Sequence, residues 1–287
     1  MSASNNPPIL VGVDGSAAAL AAVSWAATYA VSRRAPLHIV YAIGAPIDFG
    51  PGLGVAQFDY DSYRQAGRDA LDAARQSAMA TTAPIGELDI TVDLVEAPPI
   101  PVLRDRSKSA RLLVVGTHGL GVFSRRILGS VSTALARHAG CPVAVVPEQA
   151  DGFDGPVVVG VDGSPCSVDA IEIAFDEAAH RGAELVAVHT WSEFFRYISR
   201  AEMREEAREL LSESLAGYGE RYPEVRVRRV VVEDRAAKRL LDEGDNAQLI
   251  VVGSHGRGGF AGMTLGSVSQ AVLHGAKVPV IIARPAS

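Results

Sequence analysis

The chain has 287 residues, 48% hydrophobic and 21% charged, with a net charge of −6. That length holds about two ordinary domains, and the apolar content excludes a disordered chain. The acidic balance argues against nucleic acid as a partner, because neutralising phosphates needs a basic surface. The cysteines, Cys141 and Cys166, are too few for a disulfide framework or a four-ligand zinc site, which suits a reducing cytoplasm.

In chain order, the first predicted strand is Ile9–Val13, ending at Asp14-Gly15-Ser16. The residues ahead of it have no basic stretch followed by an apolar one, so no signal peptide is expected. Ala17–Ser32 is rich in alanine but too short and too weakly apolar to span a bilayer, so it reads as a helix of a soluble protein with no membrane partner. Strands Leu37–Ala42, Ile90–Val95, Leu112–Gly116 and Val143–Val146 follow. Between the first two lies Ala45–Asp61, rich in Gly and Pro and read as a long loop near the mouth of a first site. Cys141, just before Pro142, reads as a small buried hydrophobe.

Pro147–Pro156 (PEQADGFDGP) is acidic and rich in Gly and Pro, a natural linker, which sets the domains at 1–148 and 155–287. Beyond it, strands are predicted at Val157–Val161, Leu185–His189, Val225–Val232, Leu249–Gly253 and Val280–Ala283. Cys166 falls in a predicted turn. Ser199–Glu220 has a helical pattern with Leu210, Leu211 and Leu215 facing inward. Arg226, Arg228 and Arg229 read as the exposed face of a strand, and Trp25 and Trp191 as core or rim packing.

Runs such as LLVVG and LIVVG are apolar at successive positions, as in parallel strands covered on both faces. Five strands alternating with four helices in each half imply right-handed crossovers. The fold class is therefore α/β: two tandem, doubly wound, five-stranded parallel-sheet domains of Rossmann-like type.

The halves are copies. ILVGVDGS at Ile9–Ser16 returns as VVVGVDGS at Val157–Ser164, LLVVGTHG at Leu112–Gly119 as IVVGSHG at Ile250–Gly256, and LGSVS at Leu128–Ser132 as LGSVS at Leu265–Ser269. Three matched segments in one order mark a duplication. Asp14 and Asp162 are 148 positions apart and Gly116 and Gly253 are 137 apart, so the first copy holds 11 more residues before its glycine loop.

In a doubly wound sheet, ligands bind beyond the carboxyl ends of the strands where strand order reverses. Asp14 and Asp162 end the first strand of each copy there, and each can accept hydrogen bonds from ribose hydroxyls or an adenine amino group. Ser16 and Ser164 are the better helix caps, which leaves the aspartates for a ligand. The fourth strand of each copy runs into Gly116-Thr117-His118-Gly119 or Gly253-Ser254-His255-Gly256. Nine residues later come Gly129-Ser130-Val131 and Gly266-Ser267-Val268. The first two glycines of each set let backbone approach a ligand, and the last opens a helix whose unpaired N–H groups favour phosphate. His118 and His255 can reach a phosphate or move a proton, with solvent-facing loop positions as the alternative; Arg125, Arg126 and Arg257 can screen phosphate charge. No P-loop lysine and no dinucleotide G-x-G-x-x-G follows a first strand.

The paired pattern G-x2-G-x9-G-[ST] resembles the ATP-binding pattern of the universal stress protein family, and nearly the whole chain resembles a tandem member of it. The resemblance implies a HUP-like fold and one ATP per domain. The implied contacts are Asp14, Ala42, Gly116, Gly119, Gly129, Ser130 and Val131 in the first copy. In the second they are Asp162, Thr190, Gly253, Gly256, Gly266, Ser267 and Val268. It also implies pairing through the last strands, so that the halves form an internal pseudo-dimer, and association of chains as a homodimer. No metal-ligand spacing is present, so any Mg²⁺ arrives with the nucleotide. The expected role is regulation in a stress response, through an unidentified protein partner; a slow ATPase or nucleotide-transferring enzyme is the alternative, disfavoured by the lack of a base paired with a nucleophile.

Overall fold

The computed structural model describes residues 6–44, 60–119, 128–149, 154–192, 199–257 and 265–284. The first copy runs β1 (Ile9–Val13), α1 (Ala17–Ser32), β2 (Leu37–Ala42), α2 (Tyr60–Thr82), β3 (Ile90–Val95), α3 (Pro99–Ser107), β4 (Leu112–Gly116), α4 (Ser130–His138) and β5 (Val143–Val146). The second runs β6 (Val157–Gly160), α5 (Pro165–Arg181), β7 (Leu185–Trp191), α6 (Arg200–Ser214), α7 (Tyr218–Arg221), β8 (Val227–Glu233), α8 (Ala236–Gly244), β9 (Leu249–Gly253), α9 (Ser267–Gly275) and β10 (Val280–Ala283).

The described strands form one ten-stranded sheet ordered β3-β2-β1-β4-β5-β10-β9-β6-β7-β8. Within each copy every pairing is parallel, and the order reverses between β1 and β4, or between β6 and β9. The one antiparallel pairing is β5 with β10, where Val145 faces Val280 and Val143 faces Ile282. The last strands thus join the copies into the internal pseudo-dimer that the resemblance implies.

Both faces of the sheet are covered. Ile9, Val11, Val157 and Val159 point to one face, beneath α1, α2, α5 and α6. Leu10, Leu113, Val158 and Ile250 point to the other, beneath α3, α4, α8 and α9. The alanines of α1 let it lie close on the sheet: Ala22, Ala26 and Ala30 are fully buried. Cys141 is buried as expected, and burial pushes its thiol up to about 12.

Several elements differ from the sequence-based expectation. Cys166 lies in the first turn of α5, because Ser164 caps that helix and Pro165 opens it. The Ser199–Glu220 pattern is two helices, since Gly217 turns left-handed at φ 80° and restarts the chain as α7. Leu211 and Leu215 face inward, whereas Leu210 is only partly buried. β8 begins at Val227, and Arg226, Arg228 and Arg229 are all exposed because β8 is an edge strand. Of the predicted Ala45–Asp61 loop, Tyr60 and Asp61 already belong to α2, and 45–59 lies outside the described residues.

Helices α1 and α5 meet at the seam through a buried ion network. The Arg33 guanidinium, with a side chain 1% exposed, contacts Glu177 (2% exposed) and Asp176 at 2.5 Å. Arg181, the counterpart of Arg33, holds the other Glu177 oxygen at 3.0 Å and lies over the ring of Trp25, which stacks on Tyr29. Burial and the Glu177 charge push the Tyr29 phenol upward, so it stays neutral. Removing one partner of a buried pair strands the other charge, at a cost of about 3–5 kcal/mol. Glu177→Ala should therefore lower the unfolding free energy by about that amount, read from urea unfolding, whereas Arg33→Met with Glu177→Leu should recover most of it. A single-variant loss under about 1 kcal/mol would mean the network is solvated.

Candidate functional site

Two clefts open at the carboxyl ends of the strands, one per copy, each at its reversal of strand order. The first measures about 760 Å³ and the second about 380 Å³. Asp14, Ala42, Gly116, Gly119, Gly129, Ser130 and Val131 all line the first cleft. Asp162, Thr190, Gly253, Gly256, Gly266, Ser267 and Val268 all line the second. Each of these fourteen residues is thus brought to its own copy's cleft.

The glycine loop is clamped the same way twice. Gly129 N donates to Thr117 O at 2.7 Å and Ser132 Oγ to Gly116 O at 2.6 Å. In the second copy Gly266 N donates to Ser254 O at 2.7 Å and Ser269 Oγ to Gly253 O at 2.6 Å. These bonds seat α4 and α9 with their first turns facing the cleft. No side chain caps either helix; Gly129 and Gly266 occupy the cap positions. By contrast Ser16 caps α1 through Ala19 N, and Ser164 caps α5 through Ser167 N. α4 and α9 thus present ends without a side-chain cap to the clefts, and such ends favour an anion.

The glycines divide into two roles. A Cβ on Gly116 would come within 2.8 Å of the Ala18 backbone, and one on Gly253 within 2.8 Å of the Cys166 carbonyl oxygen. Those two glycines serve the close passage of α1 and α5. On Gly119 or Gly256 the same atom would strike the carboxylate of Asp14 or Asp162. The aspartates also do more than wait for a ligand. Asp14 Oδ1 accepts from Ser16 N at 3.0 Å and Asp162 Oδ1 from Ser164 N at 2.9 Å. Asp162 Oδ2 takes Arg257 N at 3.1 Å, tying the strand end to the glycine loop. Asp162 thus uses two of the about four acceptor sites of a carboxylate.

One wall of each cleft escaped the sequence reading. Leu103 and Pro99 of α3 line the first, and Leu240 and Ala236 of α8 the second. Gly12 makes room for Leu103, as a Cβ there would overlap the leucine, and Gly160 sits likewise beneath Leu240. The signal was present: Gly12 and Gly160 recur inside the repeated VGVDG, and Leu103 and Leu240 share the 137-residue offset of the glycine loops.

The clefts are not identical. Tyr41 lines the first, and burial, then the Asp14 carboxylate, raises its phenol, keeping it a donor. Its counterpart His189 is buried, with Nδ1 2.7 Å from Val161 O. His118 Nδ1 lies 2.9 Å from Thr117 Oγ1, with Nε2 3.7 Å from Glu148. His255 Nδ1 lies 3.0 Å from Ser254 Oγ, with Nε2 3.6 Å from Cys166 Sγ. Both histidines line their clefts. Trp191 is partly buried at the end of β7, as rim packing, and Arg125 and Arg126 lie outside the described residues. Among the described residues, no group of three His, Cys, Asp or Glu side chains could hold a metal ion, and no helix is long and apolar enough to cross a membrane.

Fold and clefts together define a tandem α/β protein of Rossmann-like type with one crevice per copy. The family model described as "Universal stress protein family" matches residues 5–147 and again 155–284, so the chain belongs to the universal stress protein family. A universal stress protein of Mycobacterium tuberculosis is 44% identical over 288 residues, covering 96% of each chain. Another from the same organism is 42% identical over 293 residues, again with 96% of each covered. The crystal structure of a universal stress protein from Archaeoglobus fulgidus shares the fold at a TM-score of 0.74 and 19% identity, covering 98% of this chain and 99% of that one.

The two glycine roles separate on substitution. Gly253→Ala drives a Cβ into backbone, whereas Gly256→Ala meets a side chain that can rotate away. Thermal melts should place Gly253→Ala well below the parent, by about 2 kcal/mol or more, with Gly256→Ala within about 1 kcal/mol of it. The reverse order would overturn the assignment of roles.

Proposed function

We propose that the chain binds ATP, one molecule in each copy, and acts as a regulatory protein of the stress response and not as a fast enzyme. The observation that carries this reading is the pair of helices, α4 and α9, that present ends with no side-chain cap to clefts lined by Gly and Ser. The phosphates would lie at Ser130-Val131 and Ser267-Val268. The ribose would lie by Asp14 or Asp162 and the base by Ala42 or Thr190, against the Leu103 or Leu240 wall. Mg²⁺ would enter with the phosphates. The domains are taken as 1–148 and 155–287. A cytoplasmic homodimer that reports its occupancy to a protein partner completes the proposal.

Calorimetry should show ATP binding to the purified protein, with Gly119→Ala or Gly256→Ala weakening one site each by about tenfold while the fold persists. Affinities unchanged in both variants would reject the loop assignment. Steady phosphate release abolished by Asp14→Ala or Asp162→Ala in a folded protein would instead make the chain a slow ATPase.

A further inference from the structure

The second cleft continues past Asp162, Thr190 and Arg257 into an outer chamber of about 370 Å³, walled by Trp191 of β7 and by Met203, Glu206 and Leu210 on α6, where Glu206 is engaged by a partner of its own. One charged side chain at this chamber has no partner among the described residues. The guanidinium of Arg257 makes neither an ion pair nor a hydrogen bond there; only the Arg257 backbone is engaged, by Asp162. An exposed arginine beside a cavity is a ready anion partner.

The position of Arg257 decides which anion. Its guanidinium folds back over Gly163, which sits at φ +74°; a Cβ on that glycine would lie 3.2 Å from Arg257 Cζ. The cation therefore covers the Asp162-Gly163 turn, at the mouth shared with the outer chamber, while the open N-terminus of α9 serves the 5′-phosphates from its own wall of the cleft. The first copy carries Leu120 at the matching position, which offers no charge.

We infer that the second copy is selective for a nucleotide carrying an additional phosphate on its ribose, at the 2′- or 3′-hydroxyl, with Arg257 as the residue that reads it. This rests on the proposed nucleotide reading, in which Asp162 holds the ribose. A ribose phosphate at that point sits beside the carboxylate-tethered backbone of Arg257 and within the chamber that its guanidinium borders. Dinucleotide folds use the same chemistry, an arginine accommodating a ribose 2′-phosphate. The planar guanidinium can meet two phosphate oxygens at once, which lysine cannot do as well.

The chain has two tryptophans, so Trp25→Phe in the full-length protein leaves Trp191 as the reporter of the second site alone. Its emission is titrated with ATP, ADP, AMP, adenosine 2′,5′-bisphosphate and adenosine 3′,5′-bisphosphate. One of the two bisphosphates should bind about tenfold or more tighter than AMP. Arg257→Leu should remove that gain while leaving AMP within about threefold, and Arg257→Lys should keep part of it. AMP binding with no gain for either bisphosphate overturns this inference and leaves the nucleotide reading standing. A gain for ADP that is equal in size and equally lost in Arg257→Leu also overturns it, since Arg257 would then serve the 5′-phosphates. Failure of every nucleotide to bind overturns both.

Discussion

The site depends on one close approach of backbone to backbone. The end of β4 passes against the first turn of α1 where Gly116 has no side chain, and the end of β9 passes α5 in the same way at Gly253. That contact holds the helix that starts after Asp14 or Asp162 tight against the strand from which the glycine loop departs. Ser132 and Ser269 then fasten the next helix to the same glycine carbonyls, so three chain segments meet at one residue in each copy. Added volume at this point would have backbone, not a mobile side chain, to displace. The crevice at the strand reversal is the space left over once those segments are fixed.

The seam obeys a different logic. β5 and β10 pair antiparallel, which gives each half a partner for what would otherwise be an exposed edge. Above them the two-fold relation of the halves sets Arg33 and Arg181, equivalent residues, around a single Glu177. The position equivalent to Glu177 in the first copy is Tyr29, so the contact is charged and asymmetric. In sequence the copies also differ at Tyr41 against His189 and at Leu120 against Arg257.

Much of the fold was legible in the sequence because buried parallel strands are continuous apolar runs; β1 through β5, β9 and β10 have the predicted bounds. β8 was displaced because its apolar pattern starts two residues early: Val225 is buried in a turn, its N–H bonded to Tyr222 O, and the strand begins at Val227. Cys166 was misplaced although Ser164-Pro165 is a helix-start signature, a cap followed by the residue that tolerates the first position. The candidate residues came together because the repeat marked them twice. The ion network at the seam left no local trace, since Arg33 and Glu177 are separated by 144 positions. The α3 and α8 walls were missed for a related reason: a leucine on a helix declares its burial but not which strand glycine lies beneath it.

The proposed function requires each copy to receive an anion at its own helix end. Native mass spectrometry of the full chain with saturating ATP counts occupied sites directly. Two nucleotides per chain are expected; a chain that stays at one, or at none, would rule out a site in each copy.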